Sequence, residues 1–147
     1  MRLSTTVRYG VRALLDVAIN EEQGAVSLRD ISQRQEISLT YLQQIAKPLV
    51  ASGLVRSTRG PRGGLSLSRP PAEITLYDIY QVLEGSFTPV DCIKTPDVCT
   101  RYQSCVTRDI WVQIRTAVNG ILQSTTLQHL VERQKDKGAP LQHHRPE

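Results

Sequence analysis

The chain predicts a mainly α fold: a winged helix-turn-helix with a two-stranded β wing, followed by a long dimerisation helix. Three stretches carry that prediction. Ser27-Leu28-Arg29-Asp30 and Ser38 place hydroxyls where N-caps belong, ahead of two helical patterns separated by a turn. Leu54 to Thr58 and Leu65 to Ser68 read as short strands that bracket Arg59-Gly60-Pro61-Arg62-Gly63-Gly64, a tight turn with two arginines. Further on, Ile110, Trp111, Ile114, Val118, Ile121 and Leu122 form an apolar stripe along one late helix.

The elements follow in order. A first helix runs from Ser4 or Thr5 to Asn20, with Val7, Val11, Leu14, Leu15 and Ala18 on one face and Arg8 and Arg12 on the other, within reach of phosphate. Glu21 to Gly24 is a turn. Leu28 and Ile31 give the next helix its apolar side. After Ser38, the positions Leu42, Ile45, Ala46, Leu49 and Val50 recur at i, i+3, i+4, i+7 and i+8, one buried helix face. Pro48 falls inside that period and predicts a bend, because it removes a backbone donor and clashes with the preceding turn. Gly53 closes the helix.

Arg69-Pro70-Pro71 ends the second strand and sets an extended linker. Thr75 caps a short helix with Leu76, Ile79, Tyr80 and Leu83 on one side, ended by Gly85. From Ser86 to Ser104 no period is visible, and a loop of that length in a compact domain points to a function. A long helix from Cys105 to Ser124 carries more apolar surface than its own core can cover, which suits a symmetric dimer. Thr126 starts a last helix with Leu127, Leu130 and Val131. The chain thus divides into a DNA-binding region over residues 1–69, a cysteine loop and dimerisation helix over 70–133, and a disordered tail over 134–147.

The 147 residues carry a net charge of +4, unevenly placed. Residues 1–69 hold ten Lys and Arg against five Asp and Glu, while residues 70–147 hold eight against nine. The positive excess lies with the helix-turn-helix, where phosphate binding needs it. A helix of this kind fits the major groove, and amide side chains near its start can pair bidentately with adenine. Tyr41, Gln43, Gln44 and Lys47 lie between the apolar positions and face outward. On the wing, Arg56, Arg59 and Arg62 can reach phosphates, with glycines that let backbone approach the nucleic acid.

Met1-Arg2-Leu3 leads straight into an amphipathic helix, and no apolar run approaches the roughly 18 residues of a membrane span. A cytoplasmic protein without membrane contact is expected. Three cysteines, an odd number, argue against a disulfide framework. His129, His143 and His144 form no nucleophile–base pattern and no second phosphate-cradling loop exists, so an enzyme with a small-molecule substrate is not expected. Cys92, Cys99 and Cys105 instead gather thiols on one irregular stretch, which suits an iron–sulfur cluster or a zinc site; the lack of Cys-x-x-Cys leans towards the cluster.

The chain resembles the IscR-type regulators, winged-helix transcription factors that sense iron–sulfur clusters. The resemblance runs from Met1-Arg2-Leu3-Ser4 to Leu130-Val131. Its motifs are Arg8-Tyr9, Leu14-Leu15-Asp16-Val17-Ala18, Asp30-Ile31-Ser32-Gln33-Arg34-Gln35, Tyr41-Leu42, Gly53-Leu54-Val55, Arg59-Gly60-Pro61 with Gly63-Gly64, and Cys105-Val106-Thr107 followed by Trp111. It implies a homodimer on a palindromic DNA operator, base reading by Thr40, Tyr41, Gln43, Gln44 and Arg59, and a [2Fe–2S] cluster on Cys92, Cys99 and Cys105 that controls cluster-assembly genes. Two positions depart from the pattern. Arg108 stands where members carry a ligand histidine, and a guanidinium has no lone pair to give. Gln43 stands where they carry Glu, which changes the base preferred. Related regulators sense nitric oxide, or control cysteine metabolism without a cluster, and both readings stay open.

Overall fold

In the computed structural model, residues 2–138 are described; Met1 and residues 139–147 lie outside the description. The fold is mainly helical with one antiparallel pair of strands, as the sequence predicts. In order come α1 (Thr5–Asn20), α2 (Leu28–Gln35), α3 (Leu39–Ala51), β1 (Val55–Thr58), β2 (Gly64–Leu67), α4 (Leu76–Glu84), the single turn α5 (Asp91–Lys94), α6 (Val106–Ser124) and α7 (Leu127–Asp136).

Caps set most of the helix starts. Ser4, Ser27, Ser38, Thr75 and Thr126 each accept a backbone N–H from three residues on. At Ser27 only half of the capping box forms, whereas Thr75 and Asp78 satisfy each other reciprocally. The turn from α2 into α3 places Glu36 in the left-handed region at φ 54°. Pro48 sits in the last turns of α3, and the helix continues past it to Ala51 as one element. The bend expected there does not divide the helix. The donor Pro48 lacks would have met the carbonyl of Gln44, a residue on the solvent side where water can replace it.

α1 is the hub. It packs against α2, α3, α4, α7 and β2. Its buried residues are Val7, Gly10, Ala13, Leu14, Asp16 and Val17, with Val11, Leu15 and Ala18 only half-buried. The single face expected for this helix is therefore too narrow: a helix covered from several sides shows no clean stripe. The core joins Leu14, Val17, Ile31, Leu42 and Leu49 of the helix-turn-helix to Ile74, Ile79 and Leu127 of the later chain. α4 and α7 are clipped together at their starts, where Leu76 N–H donates to Thr125 O and Leu127 N–H to Ile74 O, each at 2.9 Å.

The wing pairs Val55 with Leu67 and Thr58 with Gly64. On the other edge of β2, Val26 forms an isolated bridge, exchanging two backbone bonds of 2.8 Å with Leu65. Glu21 Oε2 accepts Leu67 N–H at 2.9 Å and ties the second strand to the end of α1. Two wing glycines are required by the protein's own backbone. A Cβ on Gly64 would lie 2.1 Å from Val26 O, and one on Gly63 would lie 2.2 Å from Thr58 O. Their expected role in letting backbone approach nucleic acid is not what demands them.

Residues 86–104, expected to be a featureless loop, contain α5 and a 3-10 turn at Pro96–Val98. Single turns have no period to detect. α7 extends to Asp136, so the tail expected from Gln134 begins as helix; the rest of that tail, 139–147, lies outside the described residues.

Candidate nucleic-acid interface and thiol segment

The start of α3 and the wing form one face. Thr40, Gln43, Gln44 and Lys47 are exposed, and none makes a side-chain hydrogen bond among the described residues. With Ser57 of β1 they line an open groove whose floor is Leu28, Ala46, Val50 and Leu65. Arg56, Arg59 and Arg62 are exposed beside it, and none has an ion pair among the described residues. Uncommitted amides and cations can bond a duplex without first breaking a bond to the protein.

Tyr41 is different. Its ring meets Tyr9 edge-on, with centroids 5.7 Å apart, and its hydroxyl lies 2.8 Å from Thr6 Oγ1. The side chain is half-buried and fixes the start of α3 on α1.

The helix-turn-helix is locked by a network the sequence reading did not pick out. Asp16 of α1 is 3% exposed. Arg34 of α2 grips its carboxylate with Nε and Nη2, at 3.0 and 2.6 Å, and Gln35 Nε2 donates at 3.0 Å. The ion pair holds the Arg34 guanidinium above its ordinary pKa, chiefly through the hydrogen bond to Asp16. Arg12 is committed to this network too. Its Nε donates to Gln35 Oε1 at 3.2 Å, Nη2 bonds Gln35 O, and the guanidinium lies 5.4 Å from the Tyr9 ring. Arg12 therefore joins α1 to α2 and is not a loose phosphate contact; Arg8 is exposed, its guanidinium donating to Thr5 Oγ1 at 3.3 Å. The signal available in the sequence was Asp16 itself, a carboxylate inside the apolar run Leu14-Leu15-Asp16-Val17-Ala18, which had to find a partner.

The three cysteines sit at three turns of one segment. Cys92 lies in α5, Cys99 follows the 3-10 turn, and Cys105 is the N-cap of α6. All are free thiols and half-buried. Cys105 Sγ lies 3.2 Å from Thr107 Oγ1. That bond, followed by the Arg108 backbone N–H, lowers the thiol below the usual cysteine pKa, and the Arg108 charge adds to the effect. Arg108 itself is pinned: Nη1 donates to Tyr102 O at 2.8 Å and the guanidinium stacks 4.2 Å from the Tyr102 ring centroid.

As donors, three soft thiols suit a thiophilic centre such as [2Fe–2S]. Their placement does not complete one. Among the described residues no group of three or more His, Cys, Asp or Glu side chains comes together to hold a metal, so Cys92, Cys99 and Cys105 are not gathered into one site, and none of Asp91, Asp97 and Asp109 completes a set with them. Among the same residues no helix is long and apolar enough to cross a membrane.

Comparison with known proteins places this arrangement. The Rrf2 family model, described as an iron-dependent transcriptional regulator, matches residues 3–133. The HTH-type transcriptional regulator IscR of Photorhabdus laumondii is 38% identical over 135 residues, covering 92% of this chain and 82% of that one. The HTH-type transcriptional regulator CymR of Bacillus subtilis is also 38% identical, over 130 residues, with 88% and 89% covered. The solved structure of CymR, described as the global cysteine regulator of that organism, is similar with a TM-score of 0.77 at 37% identity, covering 90% of this chain and 98% of that one. The T. potens IscR structure gives 0.78 at 33%, covering 95% and 93%.

Proposed function

The chain belongs to the Rrf2 family of DNA-binding transcriptional regulators, and from that premise we propose that it reads a palindromic operator as a homodimer under the control of its three cysteines. It is not an enzyme. The observation that carries the DNA reading is the uncommitted face of Thr40, Gln43, Gln44, Arg56, Arg59 and Arg62. Gln43 and Gln44 pair with base edges, the arginines bind phosphate and the adjacent groove, and Tyr41 sets the angle of the helix that presents them. In the test, Gln44→Ala costs about 1–3 kcal/mol on a cognate site and little on random duplex. Arg62→Ala weakens both alike and reduces the salt slope by about 1. Equal losses on both duplexes for Gln44→Ala would remove it from base reading.

Cys92, Cys99 and Cys105 would hold a [2Fe–2S] cluster, which supplies one-electron redox chemistry and sensitivity to oxidants when bound. The similarity to IscR and the all-sulfur donor set support this, with cluster-assembly genes as the regulated set. Arg108 does not fill the fourth position; loading a cluster would draw the three thiols together, with the remaining donor from a partner subunit, an external thiol or a carboxylate. The chain's own contribution is mechanical. Phe87, at the head of the thiol segment, packs with Val7 of α1 and Tyr80 of α4, and the neighbouring Thr6 holds the Tyr41 hydroxyl. A change of order in residues 86–105 therefore reaches α3 through α1.

A second reading has its own support. The lowered pKa of Cys105 and the equal similarity to CymR favour a clusterless thiol- or partner-sensing regulator of cysteine metabolism. A nitric-oxide sensor built on the same thiols is the third form of the reading.

A further inference from the structure

An open cleft of about 400 Å³ lies between α4, α6 and the first residues of the thiol segment, away from the DNA-facing groove. Tyr77, Phe87, Thr88, Arg115, Thr116 and Asn119 are among the residues that line it. Its size lies within the range of about 300–1,000 Å³ usual for small-molecule sites.

Its polar groups are short of partners. Arg115 is half-buried and has no ion pair or side-chain hydrogen bond among the described residues. The Asn119 Oδ1 is buried and meets no donor. Tyr77 Oη accepts from Gln81 Nε2 at 2.6 Å, which leaves its own O–H to give. No acidic side chain lines the cleft, so its field is positive. A buried acceptor without a donor, one helical turn from an unneutralised guanidinium, is the pattern of a site whose ligand completes the bonding.

We propose that this cleft binds a small carboxylate that carries a hydrogen-bond donor on the adjacent carbon, as in an α-hydroxy or α-amino acid. Arg115 and the Tyr77 hydroxyl bind the carboxylate, a rotation of the Asn119 amide brings its oxygen to the ligand's donor, and Phe87 forms an apolar wall. Arg115 and Asn119 lie roughly 120–180° around α6 from Ile110 and Ile121, so the site stays open when that apolar flank is covered. The inference goes beyond the operator reading, because binding is measured without DNA.

The test is calorimetric titration of the full chain with L-lactate, L-serine, acetate, ethanolamine and inorganic phosphate. Lactate or serine binds, acetate binds about tenfold more weakly, and ethanolamine does not bind. Arg115→Gln weakens binding about ten- to a hundredfold, Arg115→Lys less, and Asn119→Leu brings lactate down to the level of acetate. No binding by any carboxylate at about 1 mM would overturn the proposal. So would binding that survives Arg115→Gln, phosphate binding as well as lactate, or dissociation of the protein's native assembly by Arg115→Gln. Failure on any of these leaves the DNA predictions standing.

Discussion

Asp16 is the residue on which the helix-turn-helix geometry turns. Its side chain is 2% exposed and that of Arg34 is 21%, so the pair is shielded but not fully desolvated. Removing the guanidinium leaves a buried carboxylate with the Gln35 and Asn20 amides as its donors. Arg34→Ala should therefore cost about 2–4 kcal/mol, somewhat below the range for a completely buried pair. Urea unfolding checks this, and a loss under about half a kcal/mol would show that solvent already neutralises Asp16. Two of the motifs noted in the sequence, one around Asp16 and one around Arg34-Gln35, are the two halves of this contact. Their pairing was not legible there, because periodicity reports which side of a helix is buried and not which distant polar group meets it.

Among the elements, α6 is the one left unfinished. None of its residues is buried, and Val106, Ile110 and Ile121 are 78, 50 and 64% exposed. Val118 and Leu122 pack on the cluster of Val7, Tyr80 and Phe87, whereas Ile110 and Ile121 are exposed, Ile121 at the rim beside Phe87. The apolar stripe read from the sequence thus packs partly inside the subunit and leaves Ile110 and Ile121 exposed. Ile110→Lys with Ile121→Lys should convert a dimer to a folded monomer, because it buries unpaired charge only between subunits. Sedimentation with unchanged helicity checks it; a native dimer would place the interface elsewhere. Val118 is unsuitable for this test because its substitution would disturb the subunit's own core. Helix starts were legible because Ser4, Ser27, Ser38, Thr75 and Thr126 announce themselves chemically. α5 and the end of α7 were not, since a single turn and a polar last turn carry no hydrophobic period.

At the scale of the whole molecule, α1 links the thiol segment to the helix-turn-helix. Val7 and Val11 face the thiol segment and α6, while Thr6 and Tyr9 hold Tyr41 at the head of α3. Ile74 and Leu127 join the later chain to the core of the helix-turn-helix, and Phe87 ties the start of the thiol segment to the smaller cluster of Val7 and Tyr80. The exposure of Gln43, Gln44, Arg56, Arg59 and Arg62 was readable from the sequence because polar residues stand out between apolar positions. The thiol site was readable only as a set of donors, since coordination depends on how three separate turns converge. The decisive measurement is the visible spectrum and operator affinity of protein purified without oxygen, before and after chelation, beside Cys99→Ala. Cluster control of operator binding predicts a coloured wild type whose affinity changes when its iron is removed, and a colourless Cys99→Ala whose affinity does not respond. A colourless wild type with three free thiols and an affinity indifferent to chelation would contradict it.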